Sequence, residues 1–152
     1  MAPDRRSRLI CPDAGAKVTP RKGGHWEQGI LTTRILIAED EPHLIESLSF
    51  ILGREGYAIE TALDGEAALR ALLAAPPALM ILDVMLPKIN GFELLRQIRA
   101  DVRLKTLPVI ILTAKGQTRD RETAAALGAD LFLTKPFANK DVITAVKTMI
   151  GN

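Results

Sequence analysis

From residue 34 onward the chain alternates between two hydrophobic periods. Arg34–Ala38 (R-I-L-I-A) is a short apolar run, as expected of a strand buried on both faces. Pro42 follows at a position that a helix's first turn tolerates, and Leu44, Ile45, Leu48, Ile51 and Leu52 recur at helical spacing until Gly53 and Gly56. Tyr57–Ala62 reads as a second strand. Asp64 then N-caps an Ala/Leu-rich helix to Ala75, which Pro76-Pro77 stops. Leu79–Asp83 is the third strand, and Asn90 caps a helix carrying Phe92, Leu94, Leu95 and Ile98. Pro108–Leu112, a helix to Leu127 ended by Gly128, Asp130–Thr134 and a helix over Asp141–Ile150 complete five strand–helix units.

Strict β-then-α order over five units predicts an α/β fold with a parallel sheet covered by helices on both faces. In such open sheets ligands bind beyond the carboxyl ends of the strands, where the strand order reverses. The residues ending strands one, three, four and five are Glu39-Asp40, Asp83, Thr113 and Lys135, all polar and each next to an apolar run. Taken singly, each has an ordinary reading as a turn, a cap or a solvated end. Their joint placement on successive strands is what points to a site.

Three carboxylates and one ammonium at one sheet edge leave a local charge of about −2, which protonation or a divalent cation would relieve. Mg²⁺ suits hard oxygen ligands and keeps coordination positions for water and phosphate. Asp83 then has the features of a carboxylate nucleophile toward a phosphoryl group. Lys135 offers a point charge, and Thr113 a hydroxyl, to its remaining oxygens.

Composition changes this picture little. Hydrophobic residues make up 47% of the 152-residue chain and charged residues 25%, as in one globular domain. No apolar run reaches the roughly 18–20 residues of a membrane span. Arg5, Arg6 and Arg8 precede only Leu9-Ile10-Cys11, too short an apolar stretch for a signal peptide. The single cysteine, Cys11, fits a reducing compartment, and a cytoplasmic location is expected. The net charge of +2 comes from residues 1–30, with six Lys/Arg against three Asp/Glu. That segment reads as a disordered basic N-terminal tail, and direct nucleic-acid binding by residues 31–152 is not expected. His25 and His43 are read as surface histidines.

The stretches R-I-L-I-A-E-D-E-P, L-D-V-M-L-P-K-I-N-G-F-E-L-L, P-V-I-I-L-T-A and L-T-K-P-F, with L-G-A-D before the last, resemble the receiver domains of bacterial response regulators. The resemblance covers about residues 34–150, and residues 31–152 are assigned to that domain. It implies a doubly wound (βα)5 flavodoxin-like three-layer sandwich with strand order 2-1-3-4-5. It also implies that Asp83 is the phosphoacceptor, and that Asp40 ligates Mg²⁺ directly while Glu39 reaches it through water. The Met85 backbone carbonyl would be a further ligand. Lys135 and Thr113 match the phosphate-sensing pair, Lys135-Pro136 would be a cis peptide, and Phe132 takes the place of a switch aromatic that is often Tyr.

The expected partners are a sensor histidine kinase or phosphotransfer protein, and a downstream protein contacting the face of helix four, strand five and helix five. The protein would be a monomer or a phosphorylation-induced dimer. Asp130, Lys140 and Lys147 could support a dimer face, but Leu131 and Ala145 stand where charges are common. Met85 and Lys115, two residues beyond Asp83 and Thr113, would tune the lifetime of the acyl phosphate. With the chain ending at Asn152, no output domain is expected and a stand-alone regulator is favoured; a truncated receiver of a winged-helix DNA-binding regulator is the alternative. A haloacid-dehalogenase-type phosphatase needs an acid two residues after its nucleophile, where Met85 stands. A flavodoxin-like cofactor carrier would find Glu39-Asp40-Glu41-Pro42 repelling its phosphate.

Overall fold

The computed structural model describes residues 32–114 and 118–150. The tail at residues 1–30 and Lys115, for which roles were expected above, lie outside the described residues. Ten elements alternate: β1 (Arg34–Ala38), α1 (Pro42–Arg54), β2 (Ala58–Ala62), α2 (Gly65–Ala74), β3 (Leu79–Asp83), α3 (Gly91–Ala100), β4 (Val109–Ala114), α4 (Thr118–Ala126), β5 (Leu131–Lys135) and α5 (Asn139–Ile150). All strand pairs are parallel, in the order β2-β1-β3-β4-β5, giving the doubly wound flavodoxin-like fold.

The side-chain alternation of a strand sorts the core into two layers. Ile35, Ile37, Leu79, Ile81, Ile110 and Leu112 face one side, against Leu48, Ile51 and Leu52 of α1 and Val142, Ala145 and Val146 of α5. Leu36, Ala38, Met80, Leu82, Val109 and Ile111 face the other, against α2, α3 and α4. With helices on both faces, the central strands have no polar side to show, so β3 is buried throughout. The edge strand β2 exposes Glu60 and Thr61, and β5 is half-buried.

Helix starts follow local chemistry. Asp64 accepts from Ala67 N–H at 2.8 Å and Asn90 from Glu93 N–H at 2.9 Å, each filling one orphan donor of a first turn. Glu41 does the same for α1 through Leu44 N–H at 3.0 Å, with Pro42 at a position needing no amide hydrogen. Boundaries differ from the sequence reading in places. Tyr57 precedes β2 and packs in the core, β4 continues through Thr113 to Ala114, and α5 starts two residues early at Asn139.

Candidate functional site

Strand order reverses at β1, whose neighbours are β2 on one side and β3 on the other. Beyond the carboxyl ends of β1 and β3 lies a crevice into which the chain places Glu39, Asp40 and Asp83. One carboxylate oxygen from each lies within 4.8 Å of the others. Glu39 and Asp83 are almost wholly buried, at 1% and 4% exposure, while Asp40 is exposed at the mouth. Lys135, the last residue of β5, extends its ammonium to 3.2 Å from Glu39 Oε1 and 3.3 Å from Asp83 Oδ1. Thr113 is inside β4 and also buried at 1%; its hydroxyl has no hydrogen-bond partner among the described residues. The structure therefore brings together Glu39, Asp40, Asp83 and Lys135 around one crevice, with Thr113 near the end of the neighbouring strand.

Backbone groups complete the crevice. Met85 N–H donates to Asp83 Oδ1 at 3.3 Å, and Glu41 N–H donates to Glu39 Oε2 at 3.1 Å. Met85 itself is 76% exposed on the rim. Gly91 opens α3 directly beneath Asp83. Its N–H donates to Val84 carbonyl oxygen at 2.9 Å, and a Cβ at this position would lie 2.5 Å from Asp83 carbonyl oxygen. The Lys135–Pro136 peptide is cis. His43 lies beside the site in an open groove of about 560 Å³, whose lining includes Leu44, Lys135 and Phe137.

The electrostatics are those of a crowded anionic pocket. Burial, reinforced by the Asp83 carboxylate, holds the Glu39 pKa above its ordinary value, against the opposing pull of Glu41 N–H and Lys135. For Lys135 burial is the largest single influence and favours the neutral amine, yet Asp83 and Glu39 together outweigh it and raise its pKa. Clustered carboxylate oxygens that a single ammonium only partly offsets are a donor set for a hard divalent cation.

Two residues with a role expected above also make contacts within the chain. Asp130, considered above for a dimer face, precedes β5 and is engaged within the chain. Its Oδ2 receives Arg99 at 2.9 Å and Val109 N–H at 2.8 Å. Arg99 also donates to the carbonyls of Gly128, Lys105 and Leu107. Lys147, the other such residue on α5, pairs with Glu55 of α1 at 3.0 Å. Phe132 is half-buried against the α2–α4 side of the core, with the Arg121 guanidinium 5.9 Å from its ring centroid. Sequence reading did not single out Gly91, Arg99 or Arg121. A glycine directly after the Asn90 helix cap was the one visible signal among them.

Comparison with known proteins agrees with this geometry. The response regulator receiver domain family model matches residues 35–147. The chain is 38% identical over 120 residues to the alkaline phosphatase synthesis transcriptional regulatory protein PhoP of Bacillus subtilis, covering 79% of this chain and 49% of that protein. It is 40% identical over 118 residues to the response regulator ArlR of Staphylococcus epidermidis, covering 78% and 52%. The chain thus spans about half the length of the curated relatives it matches. Among solved structures, a putative response regulator from Chloroflexus aurantiacus superposes with a TM-score of 0.78 at 32% identity, over 80% of this chain and all of that one. The chemotaxis response regulator CheY4 of Vibrio cholerae superposes at 0.74 with 28% identity, over 78% and 99%.

Proposed function

The chain belongs to the response regulator receiver domain family of two-component signalling, a regulatory family whose members receive phosphoryl groups from histidine kinases, and we propose that Asp83 is the acceptor. One observation carries the reading. The buried Asp83 carboxylate ends β3 at the point of strand reversal, with Lys135 at 3.3 Å and the Glu39 and Asp40 carboxylates in the same crevice.

The chemistry is a transfer between two nucleophiles. A carboxylate oxygen of Asp83 forms a bond to phosphorus as the phosphorus–nitrogen bond of a donor phosphohistidine breaks, and the imidazole nitrogen keeps that electron pair. Glu39, Asp40, Asp83 and the Met85 backbone carbonyl would hold Mg²⁺, which when bound supplies positive charge against the transferring oxygens. Lys135 stays protonated across the physiological range, because its carboxylate neighbours raise its pKa, and remains a cation for the acyl phosphate. Thr113 offers its unpartnered hydroxyl to another phosphoryl oxygen. Its shift toward that oxygen, with residues 113–118, would let Phe132 turn inward and alter the α4–β5–α5 face that a downstream protein reads. The same change would decide between a monomer and a phosphorylation-induced dimer. Met85 on the rim, and Lys115, would tune the lifetime of the acyl phosphate by controlling water access.

The decisive experiment is phosphorylation by acetyl phosphate with Mg²⁺. We expect one acid-labile phosphoryl group per chain on wild type and none on Asp83→Asn; label retained on the variant would sink the assignment. Met85→Asn and Lys115→Ala should change the decay rate of the acyl phosphate, and an unchanged rate for both would remove them from that role. Among the described residues no helix is long and apolar enough to cross a membrane. A second reading, the receiver part of a longer DNA-binding regulator, is consistent with the half-length coverage of its relatives. Immunoblotting the product of the native locus separates the two by size.

A further inference from the structure

We propose that Arg121 acts as a latch on Phe132, holding the receiver in its resting conformation and setting how readily the site takes a phosphoryl group. This rests on the reading of Asp83 as acceptor with Thr113 and Phe132 as its switch, and adds a positioning residue to it. The register of β4 and β5 pairs Ile111 with Phe132 and Thr113 with Thr134. Residues two apart on a strand share a face, so Phe132 lies on the same sheet face as Thr113, one step back on the neighbouring strand. That face is covered by α4, whose one buried residue is Ala124. Phe132 is half-buried there, and the exposed Arg121, one turn before Ala124 on the same helix, places its guanidinium 5.9 Å from the ring centroid.

Phenylalanine has no hydroxyl with which to gain a hydrogen bond in a more buried position. The guanidinium contact stabilises the half-buried ring, and in the switch proposed above it is lost when the ring moves inward behind a displaced Thr113. A contact made in one state and absent from the other biases the equilibrium by its full strength. Exposed cation–π pairs correspond to a population ratio of about two- to five-fold. Electrostatics alone predicts the opposite sign. Removing a cation from a surface that binds an anion weakens the binding, whereas removing a latch strengthens it.

The test is calorimetric titration with beryllofluoride and Mg²⁺ of wild type, Arg121→Gln, Arg121→Lys, Phe132→Leu and the Arg121→Gln/Phe132→Leu double variant. Arg121→Gln should bind about two- to five-fold more tightly. Arg121→Lys should lie at or near wild type, and Arg121→Gln should have no effect in the Phe132→Leu background. Equal or weaker binding by Arg121→Gln, or the same gain without the ring, overturns the latch. A second readout is independent of the acceptor: the Phe132 ring resonances of the unliganded protein, identified among four phenylalanines by Phe132→Leu. They should shift in Arg121→Gln and much less in Arg121→Lys, and identical shifts in the two overturn the proposal. Absence of beryllofluoride binding by wild type counts against Asp83 as acceptor, and the ring resonances then decide the latch alone.

Discussion

Gly91→Ala is the substitution through which packing and function are most directly linked. The added methyl would stand 2.5 Å from the Asp83 carbonyl oxygen, 2.7 Å from Val84 Cα and 3.1 Å from the Asp83 carbonyl carbon. Non-bonded carbon contacts settle at about 3.5–4 Å, so α3 and the end of β3 must part by about 1 Å. All three atoms belong to the backbone, and no rotamer change can make room. The first turn of α3 is also tied to this spot by the 2.9 Å bond from Gly91 N–H to Val84 carbonyl oxygen. Overpacking of this kind costs about 1–3 kcal/mol. The stiffer unfolded chain of the alanine variant returns about 0.4–1 kcal/mol. A net loss of about 1–2 kcal/mol remains, enough to lower Tm by roughly 4–8 °C in a domain of this size.

The displaced backbone is that of Asp83 itself, so function should suffer beyond stability. A misplacement of about 1 Å at a reacting group can cost up to ~100-fold in rate. We expect phosphorylation by acetyl phosphate to slow at least about 10-fold at a temperature where circular dichroism shows Gly91→Ala fully folded. Gly65→Ala is the control. Its methyl would collide with the Ile89 backbone and side chain, straining the β3–α3 loop without pressing on Asp83. Its Tm should fall by a similar amount while its phosphorylation rate stays within a few-fold of wild type. A Gly91→Ala protein with wild-type Tm and rate would refute the reasoning, as would equal rate losses in the two variants.

Three further outcomes follow from the same structure. Glu39 has a raised pKa, so the stability linked to it is present below its ordinary value near 4.5 and is lost as pH rises through the folded-state value. Glu39→Gln should therefore raise Tm at pH 7 in EDTA, with the gain vanishing toward pH 4 and shrinking in Mg²⁺; a lower Tm at pH 7 in EDTA would contradict this. Arg99→Ala removes the guanidinium donor from three carbonyls and from Asp130, which keeps the Val109 N–H, and should cost about 2–3 kcal/mol in urea unfolding, with Arg99→Lys recovering less than half of it. Asn90→Ala removes the cap of α3 and should cost about 1 kcal/mol by the same assay.

The parts of the molecule that were legible in sequence depend on short-range rules. Apolar runs five residues long mark strands covered on both faces, and Asp64 and Asn90 mark helix starts because a cap acts three residues away. The site was legible for a related reason: parallel strands put all their carboxyl ends at one sheet edge, so strand-end residues far apart in sequence converge. What was hidden depends on tertiary partners. Thr113 reads as following β4 because it is polar, yet its pairing opposite Thr134 keeps it in the strand. Glu41 was read only as part of an acidic stretch, although its side chain caps α1. The pairing of Asp130 with Arg99 was not visible because the two are 31 residues apart.

If Asp83 is the acceptor as proposed, the unequal anchoring of the helices decides where a signal written there travels. α3 buries Leu94, Leu95 and Ile98, each large side chain contributing about 1.5–3 kcal/mol of hydrophobic stabilisation, so it resists displacement. α4 has the sequence T-R-D-R-E-T-A-A-A and buries only Ala124, whose single methyl contributes about 1 kcal/mol at most. Both helices cover the same sheet face as the unpartnered Thr113 hydroxyl. New charge-assisted hydrogen bonds from a phosphoryl group to Thr113 and Lys135 are each of order 1.5–3 kcal/mol. Each exceeds what the Ala124 methyl contributes to α4 and falls well short of what the three buried side chains contribute to α3. On the proposed function, a fixed α3 beneath Asp83 would preserve the acceptor's geometry, while α4, with one small buried side chain, is the element that phosphorylation would move.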